Sequence, residues 1–407
     1  MIAAALAMAA LSAAPDAPAP LRFAIAGKAE GFVPAPAGTA YDEARGYGWE
    51  DAHRFSVKLP EGNYRVTLRF GGGRAPSATT VKAEARRLML ENLRTPARRS
   101  ATRSFVVNVR TALLEAPPEN APGGTAVQLK PREKGSATWD DRLTLEFLGA
   151  APQVTAVEIA PVDVPTIYLA GDSTVTDQNA EPAASWGQML TRFVGPTAAV
   201  ANHAESGETM KSFIAELRLA KMLSRMKHGD WLLIQFGHND QKKQWPQTYA
   251  DPVNTFPAYL RTFVAEARQR GATPILVTSP ERRNFDAAGT IVPSHGAYPD
   301  AVRALARSEG VGLIDLHAAS IALYQALGPA RAPLAFNDGG KDKTHHNNYG
   351  AYQLAHIVAS ELARIDRPPA AHLLPEARSF DPSQPPPPER FALPASGARS
   401  TIRPDGN

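Results

Sequence analysis

Four short polar segments carry residue types that together can transfer an acyl group. Gly171-Asp172-Ser173-Thr174-Val175 supplies a hydroxyl nucleophile. Asn202-His203-Ala204-Glu205-Ser206-Gly207 ends on a glycine, and Gly237-His238-Asn239-Asp240 holds a side-chain amide. Asp342-Lys343-Thr344-His345-His346 places an acid and a base three residues apart. Acyl transfer to water needs a nucleophile, a base, a group that orients the base, and donors for the oxyanion. Ser173 is the candidate nucleophile and His345 the base. Asp342 is close enough in sequence to bond the far imidazole nitrogen, fixing its tautomer. The Ser173 and Gly207 N–H groups and the Asn239 amide are the candidate oxyanion donors. A glycine at 207 has no Cβ to keep an oxyanion away. Each piece alone has a plainer reading. Gly171-Asp172-Ser173 is commonly just a turn, Gly207 a turn glycine, Asn239-Asp240 a helix N-cap, and Asp342 a loop residue or cap. His238, Asp240 and the His345/His346 pair lack clear metal-ligand spacing, so neither a metal nor a cofactor is expected. No Gly-x-Ser-x-Gly elbow occurs, which disfavours the common α/β-hydrolase layout.

The elements around these segments must bring them together. From Pro165 onward, apolar strand candidates alternate with helical segments. The strands are Ile167–Ala170, Ala198–Ala201, Trp231–Phe236, Pro274–Thr278 and Gly312–Leu316. Helices are expected near Ser185–Phe193, Lys211–Met226, Pro257–Arg270, Pro299–Ser308, Ala319–Leu327 and Tyr349–Ile365. Such alternation predicts a three-layer α/β/α domain over 165–367 with a parallel five-stranded sheet. Ser173, the 202–207 segment and the 237–240 segment each follow a strand. They therefore meet at the carboxyl edge of the sheet, where open α/β sheets place ligands. Before this domain, residues 21–164 read as β-structure. Phe55–Leu59 and Tyr64–Phe70 alternate around the turn Pro60-Glu61-Gly62-Asn63. Further strands are expected at Ser104–Val109, Ala126–Leu129, Leu143–Phe147 and Val154–Ile159. Many short strands with Gly/Pro turns predict a jelly-roll-like β-sandwich. The segment 368–407 contains Pro385-Pro386-Pro387-Pro388 and reads as an extended tail that packs loosely or is disordered.

Composition narrows the class. With 43% hydrophobic and 21% charged residues the chain is an ordinary globular protein, and a net charge of +4 without a long Lys/Arg run excludes a nucleic-acid partner. The absence of cysteine removes disulfides, thiol nucleophiles and thiolate metal sites. Residues 2–14 are small and apolar, too short to span a bilayer, and read with the Pro/Ala-rich 15–20 spacer as a signal-like start. Export to a bacterial periplasm or the medium fits this start and the lack of cysteine. No membrane span is expected, and the chain is read as a monomer.

Ser173, Gly207, Asn239 and His345 follow the order and loops of the SGNH (GDSL-type) hydrolases, which the chain resembles over about 165–365. Within that superfamily it resembles the rhamnogalacturonan acetylesterases. The similarity rests on Gly171-Asp172-Ser173-Thr174-Val175-Thr176, Ser185-Trp186-Gly187-Gln188, Ile234-Gln235-Phe236-Gly237-His238-Asn239-Asp240, Lys341-Asp342-Lys343-Thr344-His345 and Asn348-Tyr349-Gly350-Ala351. The β-rich segments Tyr47-Gly48-Trp49 and Trp139-Asp140-Asp141-Arg142-Leu143 resemble N-terminal sandwiches of similar bacterial proteins. The resemblance implies a carbohydrate esterase that removes acetyl groups from acetylated pectic polysaccharide or oligosaccharide through Ser173, His345 and Asp342. Two other readings stand beside it: an esterase for acetylxylan, aryl or lipid esters, and a glycan-binding protein with an inactive hydrolase domain. Expected substrate contacts are Trp186, His238, Arg283, Lys343 and His346, with Trp245 a second sugar-stacking candidate. Glu208 departs from the relatives' common arginine and is expected to put a negative charge beside the site. His346 stands where they commonly have an aromatic.

Overall fold

A computed structural model describes residues 19–365 and 369–397. Residues 1–18, which hold most of the signal-like start, lie outside the described residues. The parallel sheet contains β1 (Thr166–Gly171), β2 (Ala199–Asn202), β3 (Trp231–Gln235), β4 (Thr273–Val277) and β5 (Gly312–Ile314), in the order β2-β1-β3-β4-β5. Every pairing in it is parallel. The strands are apolar at successive positions because both faces are covered. Ile167, Leu169, Leu233 and Ile275 pack on one helical layer, and Tyr168, Ala170, Leu232, Ile234 and Leu276 on the other. The helix Thr255–Gln269 shows why such segments coil: Phe256, Leu260, Phe263, Val264 and Ala267 form one buried stripe. In this strand order the chain reverses direction between β1 and β3, and the crevice there is the expected ligand site.

The N-terminal half forms two five-stranded sheets around a shared core. One contains Leu21–Ala24, Val33–Pro34, Gly62–Gly71, Ser100–Val109 and Val154–Pro161. The other contains Tyr47–Trp49, Arg54–Lys58, Ser77–Ala83, Arg87–Thr95 and Arg142–Ala151. The pairings are antiparallel except for the short contact of Leu21–Ala24 with Val33–Pro34. Phe23, Val66, Leu68 and Phe70 from the first sheet meet Phe55, Val57, Leu143, Leu145 and Phe147 from the second.

Three expectations change. Ala126–Leu129 is not a strand: Ala126 makes an isolated bridge to Leu113, and Gln128 donates its N–H to the Glu216 carbonyl of the α/β half (3.0 Å). The helix expected over Lys211–Met226 is two, Met210–Ala215 and Arg218–Leu223, separated by Leu217 at φ 63°. That break turns Arg218 inward onto Glu133 (2.5 Å) and Glu208 (3.4 Å). The tail also packs closely along its described part. Phe391 lies against Tyr349 and Tyr352, Glu389 pairs with Arg331, and Leu373 and Ala377 are buried. Near its end Lys82 donates to the Pro394 carbonyl and the Ser396 hydroxyl (both 2.9 Å). Among the described residues, no helix is long and apolar enough to cross a membrane.

Candidate active site

Ser173 follows β1 directly. Gly171 must be a glycine, because a Cβ there would lie 2.5 Å from Val175 Cγ2 and 3.0 Å from the Gln235 carbonyl. The turn is held from within: Asp172 Oδ1 accepts from the Thr174 N–H and hydroxyl, both at 2.9 Å. It is also held from β3. Trp186 Nε1–H donates to Gln235 Oε1, and Gln235 Nε2–H donates to Thr174 Oγ1, each at 2.7 Å. The Ser173 carbonyl accepts from the Ser185 hydroxyl (2.6 Å) and Gln178 Nε2–H (3.0 Å). Burial pushes the Asp172 carboxyl up to about 6, against the lowering effect of the Thr174 bonds.

The base comes from the loop before the helix Asn348–Leu362. His345 Nε2 lies 2.9 Å from Ser173 Oγ, and His345 Nδ1 lies 2.8 Å from Asp342 Oδ2. Asp342 Oδ1 accepts the N–H groups of Thr344 (2.7 Å) and His345 (2.9 Å). Burial favours the neutral Asp342 acid, yet the His345 ring and these N–H groups outweigh it and hold the carboxyl well below its usual range. With the carboxylate taking the Nδ1 proton, Nε2 is the nitrogen free to accept from the serine hydroxyl. Arg283 steadies this loop: its guanidinium donates to the Gly340 and Asp342 carbonyls, and its N–H to the Lys343 carbonyl (2.8 Å).

The neighbouring strands bring the remaining residues. Gly207 follows β2 at φ +78°, a conformation that favours glycine, and is half-buried within a loop whose other residues from His203 to Thr209 are buried. Asn239 follows β3 and donates one amide N–H to the Glu208 carbonyl (3.0 Å), so the two loops are joined while the second amide N–H stays available. Asp240 bonds the N–H of Gly237 and of Met210, the first residue of the Met210–Ala215 helix, both at 3.0 Å. It thus serves the start of a helix from another loop.

Three of the expected substrate contacts, Trp186, His238 and His346, are buried. Trp186 is 1% exposed and spends its N–H on Gln235, so it props the serine turn instead of stacking on sugar. His346 is 1% exposed and bonds the Tyr324 hydroxyl (2.7 Å), and burial pushes its pKa down to about 3, so it is a neutral core residue. His238 is 2% exposed and lies edge-on against the His295 ring. Arg283 braces the acid–base loop. Glu208 is fully buried and pairs with Lys130 (2.5 Å) and Arg218, so its charge is absorbed within the protein. Lys343 is exposed, and Trp245 is half-buried beneath the Lys242 ammonium at 3.9 Å. Lys130, Arg132 and Glu133, which support the loops from the N-terminal half, carry no local sequence signal of that role.

A β2-β1-β3-β4-β5 parallel sheet, with a serine at its switch point and an Asp-x-x-His loop reaching it, defines an ester hydrolase of the SGNH class. The GDSL-like lipase/acylhydrolase family model matches residues 169–353, and the chain belongs to that family. It is 39% identical over 221 residues to rhamnogalacturonan acetylesterase RhgT of Bacillus subtilis (strain 168), covering 51% of this chain and 94% of that protein. It is 35% identical over 205 residues to the probable rhamnogalacturonan acetylesterase YesY of the same organism, covering 50% of this chain and 94% of the relative. The crystal structure of protein YxiM from Bacillus subtilis aligns with 85% of this chain and 98% of that one, at 26% identity and a TM-score of 0.48.

Proposed function

We propose that the protein is an exported carbohydrate acetylesterase acting on acetylated rhamnogalacturonan-type pectin through a covalent acetyl-enzyme. The observation that carries the chemistry is the continuous Ser173–His345–Asp342 relay, with contacts of 2.9 and 2.8 Å. It supports an active hydrolase over a glycan-binding scaffold. The substrate class rests on the 39% identity to a rhamnogalacturonan acetylesterase over 94% of that protein. The chain divides, in this reading, into a sandwich over 21–164, a hydrolase domain over 165–367 and the tail.

Ser173 Oγ attacks the acetyl carbonyl while its proton passes to His345 Nε2. Asp342 stabilises the imidazolium so formed. The oxyanion meets the N–H groups of Ser173 and Gly207 and the Asn239 amide, each such donor being worth about 3 kcal/mol. The bond from the carbonyl carbon to the sugar oxygen breaks, and that oxygen takes the proton from His345. Water then attacks the acetyl-enzyme as His345 accepts its proton. Acetate leaves as the proton returns to Ser173 Oγ. Exposed Lys343 beside the relay suits a galacturonate carboxylate next to the acetylated sugar.

The test is acetate release from acetylated rhamnogalacturonan, homogalacturonan, xylan and a short aryl acetate. Preference for rhamnogalacturonan, lost in Ser173→Ala with an unchanged circular-dichroism spectrum, is the expected result. Better turnover of xylan would replace the substrate assignment, and full activity in Ser173→Ala would remove the mechanism.

A further inference from the structure

We infer that the N-terminal sandwich is a working part of the active site: Arg132 and Lys130 position the oxyanion loop, with Arg132 locking that loop to the one carrying the nucleophile. The inference rests on the ester-hydrolase reading above. Both residues lie on the long connection between the strands Ser100–Val109 and Arg142–Ala151.

Arg132 is 5% exposed and reaches both loops at once. Its Nε–H donates to Glu205 Oε1 in the oxyanion loop, and its Nη2–H to Thr176 Oγ1 (3.3 Å), three residues after the serine. Its carbonyl accepts from Asn179 Nδ2–H (3.1 Å). Glu205 Oε1 also accepts the Ser206 N–H (2.7 Å), so the guanidinium fixes the backbone one residue before Gly207. Lys130 holds the same turn from its other side, donating to the Ser206 carbonyl (2.7 Å) and pairing with Glu208. The peptide linking Ser206 to Gly207 supplies the Gly207 N–H. Lys130 grips its oxygen, and Arg132, through Glu205, grips the preceding peptide. No residue of the α/β half supplies these two cations. A buried ion pair contributes little net stability against a well-packed apolar replacement. Its value here is in fixing where an N–H points, and an oxyanion donor works only when its position is set before the reaction.

The full chain is assayed on a short aryl acetate at 25 °C, as Arg132→Ala, Arg132→Lys and Lys130→Met. Arg65→Ala serves as an interface control, since Arg65 meets the α/β half at the Pro196 carbonyl. Arg132→Ala is expected to lose about tenfold to a hundredfold in kcat, somewhat less than outright loss of a donor, with KM within about twofold. Arg132→Lys should recover part of the loss, because an ammonium can reach Glu205 but cannot fork to Thr176. Arg65→Ala should keep both constants. A folded Arg132→Ala with wild-type kcat, or with a change confined to KM, overturns the inference. If Arg132→Ala does not fold, Lys130→Met decides: a several-fold fall in kcat supports positioning, and an unchanged kcat overturns it. Ser173→Ala runs alongside. If it is inactive while the Arg132 and Lys130 variants are unimpaired, only the positioning role fails; if it stays active, the ester-hydrolase reading fails too.

Discussion

Asp172 and Asp342 are both carboxylates beside one serine, and their surroundings drive them in opposite directions. Asp342 accepts from a ring and two backbone N–H groups, which outweigh burial, so it stays ionised. Asp342→Asn keeps an oxygen for the Thr344 and His345 N–H groups but turns an amide toward His345 Nδ1. That selects the wrong tautomer, and kcat should fall by about 10³–10⁴ with little change in melting temperature. Steady-state kinetics showing near-normal turnover would remove Asp342 from the mechanism. Asp172 has the reverse bias, since burial lifts it from 3.8 to about 6. A carboxyl raised on folding stabilises fully below its unfolded value near 4, and that contribution fades as pH climbs through about 6. Ionised Asp172 therefore costs up to about 3 kcal/mol above that pH. Asp172→Asn retains the Oδ1 bonds from Thr174 and cannot ionise. Its stability relative to wild type should be flat below pH 4 and rise between pH 4 and 7, read from urea midpoints across that range. A difference independent of pH would show that Asp172 does not titrate there.

At the level of elements, the serine turn depends on a relay that crosses from β1 to β3 through Trp186, Gln235 and Thr174. Trp186→Phe preserves most of the ring volume but leaves Gln235 Oε1 buried without its donor. Such a loss costs about 1–3 kcal/mol. We expect that destabilisation in chemical denaturation together with a few-fold drop in kcat, because Thr174 is released from one side. Unchanged stability and rate would mean that another group replaces the bond. This relay also shows where sequence reading stops. The five parallel strands were legible to within a residue or two because each is a continuous apolar run, and three of the four polar segments fell at their ends as the topology requires, while the Asp342–His346 segment precedes the helix Asn348–Leu362. Trp186 and His346 were misread because their partners, Gln235 and Tyr324, are remote in sequence; nothing local distinguishes a buried donor from a sugar contact. The strands Ser77–Ala83 and Arg87–Thr95 escaped for a related reason. Lys82 and Arg87 are buried on them, satisfied by Glu181 and Asp177 from the other half, so the expected alternation is hidden by charges. The helix break at Leu217 accompanies the Arg218–Glu133 pair, again a contact between the halves.

Across the whole molecule, the two halves are joined by charges withdrawn from water. Arg87–Asp177, Arg132–Glu205 and Arg218–Glu133 have both partners at 4% side-chain exposure or less. Lys221–Glu61 is covered on its lysine side, and the tail adds Ser396, which donates to Glu146 (2.6 Å) while accepting from Lys82. Separating the halves would strand several of these ions in partly apolar surroundings before water could reach them, so opening the interface without unfolding is unfavourable. The sandwich and the α/β half should accordingly unfold together, in one calorimetric transition whose van't Hoff and calorimetric enthalpies agree. Glu133→Ala puts this to a direct test. It removes the two oxygens that accept from Arg218 Nη1–H and Nη2–H (2.9 and 2.5 Å) and the acceptor of Trp139 Nε1–H (2.8 Å), leaving a cation at 0% side-chain exposure whose Nε–H still donates to Glu216 (2.9 Å) and lies 3.4 Å from Glu208. Breaking a buried pair from one side costs about 3–5 kcal/mol. If the halves are coupled, the whole transition moves to lower temperature as one peak. If the sandwich were an independent appendage, Glu133→Ala would instead split the trace, with one component moving and the other staying at the wild-type temperature.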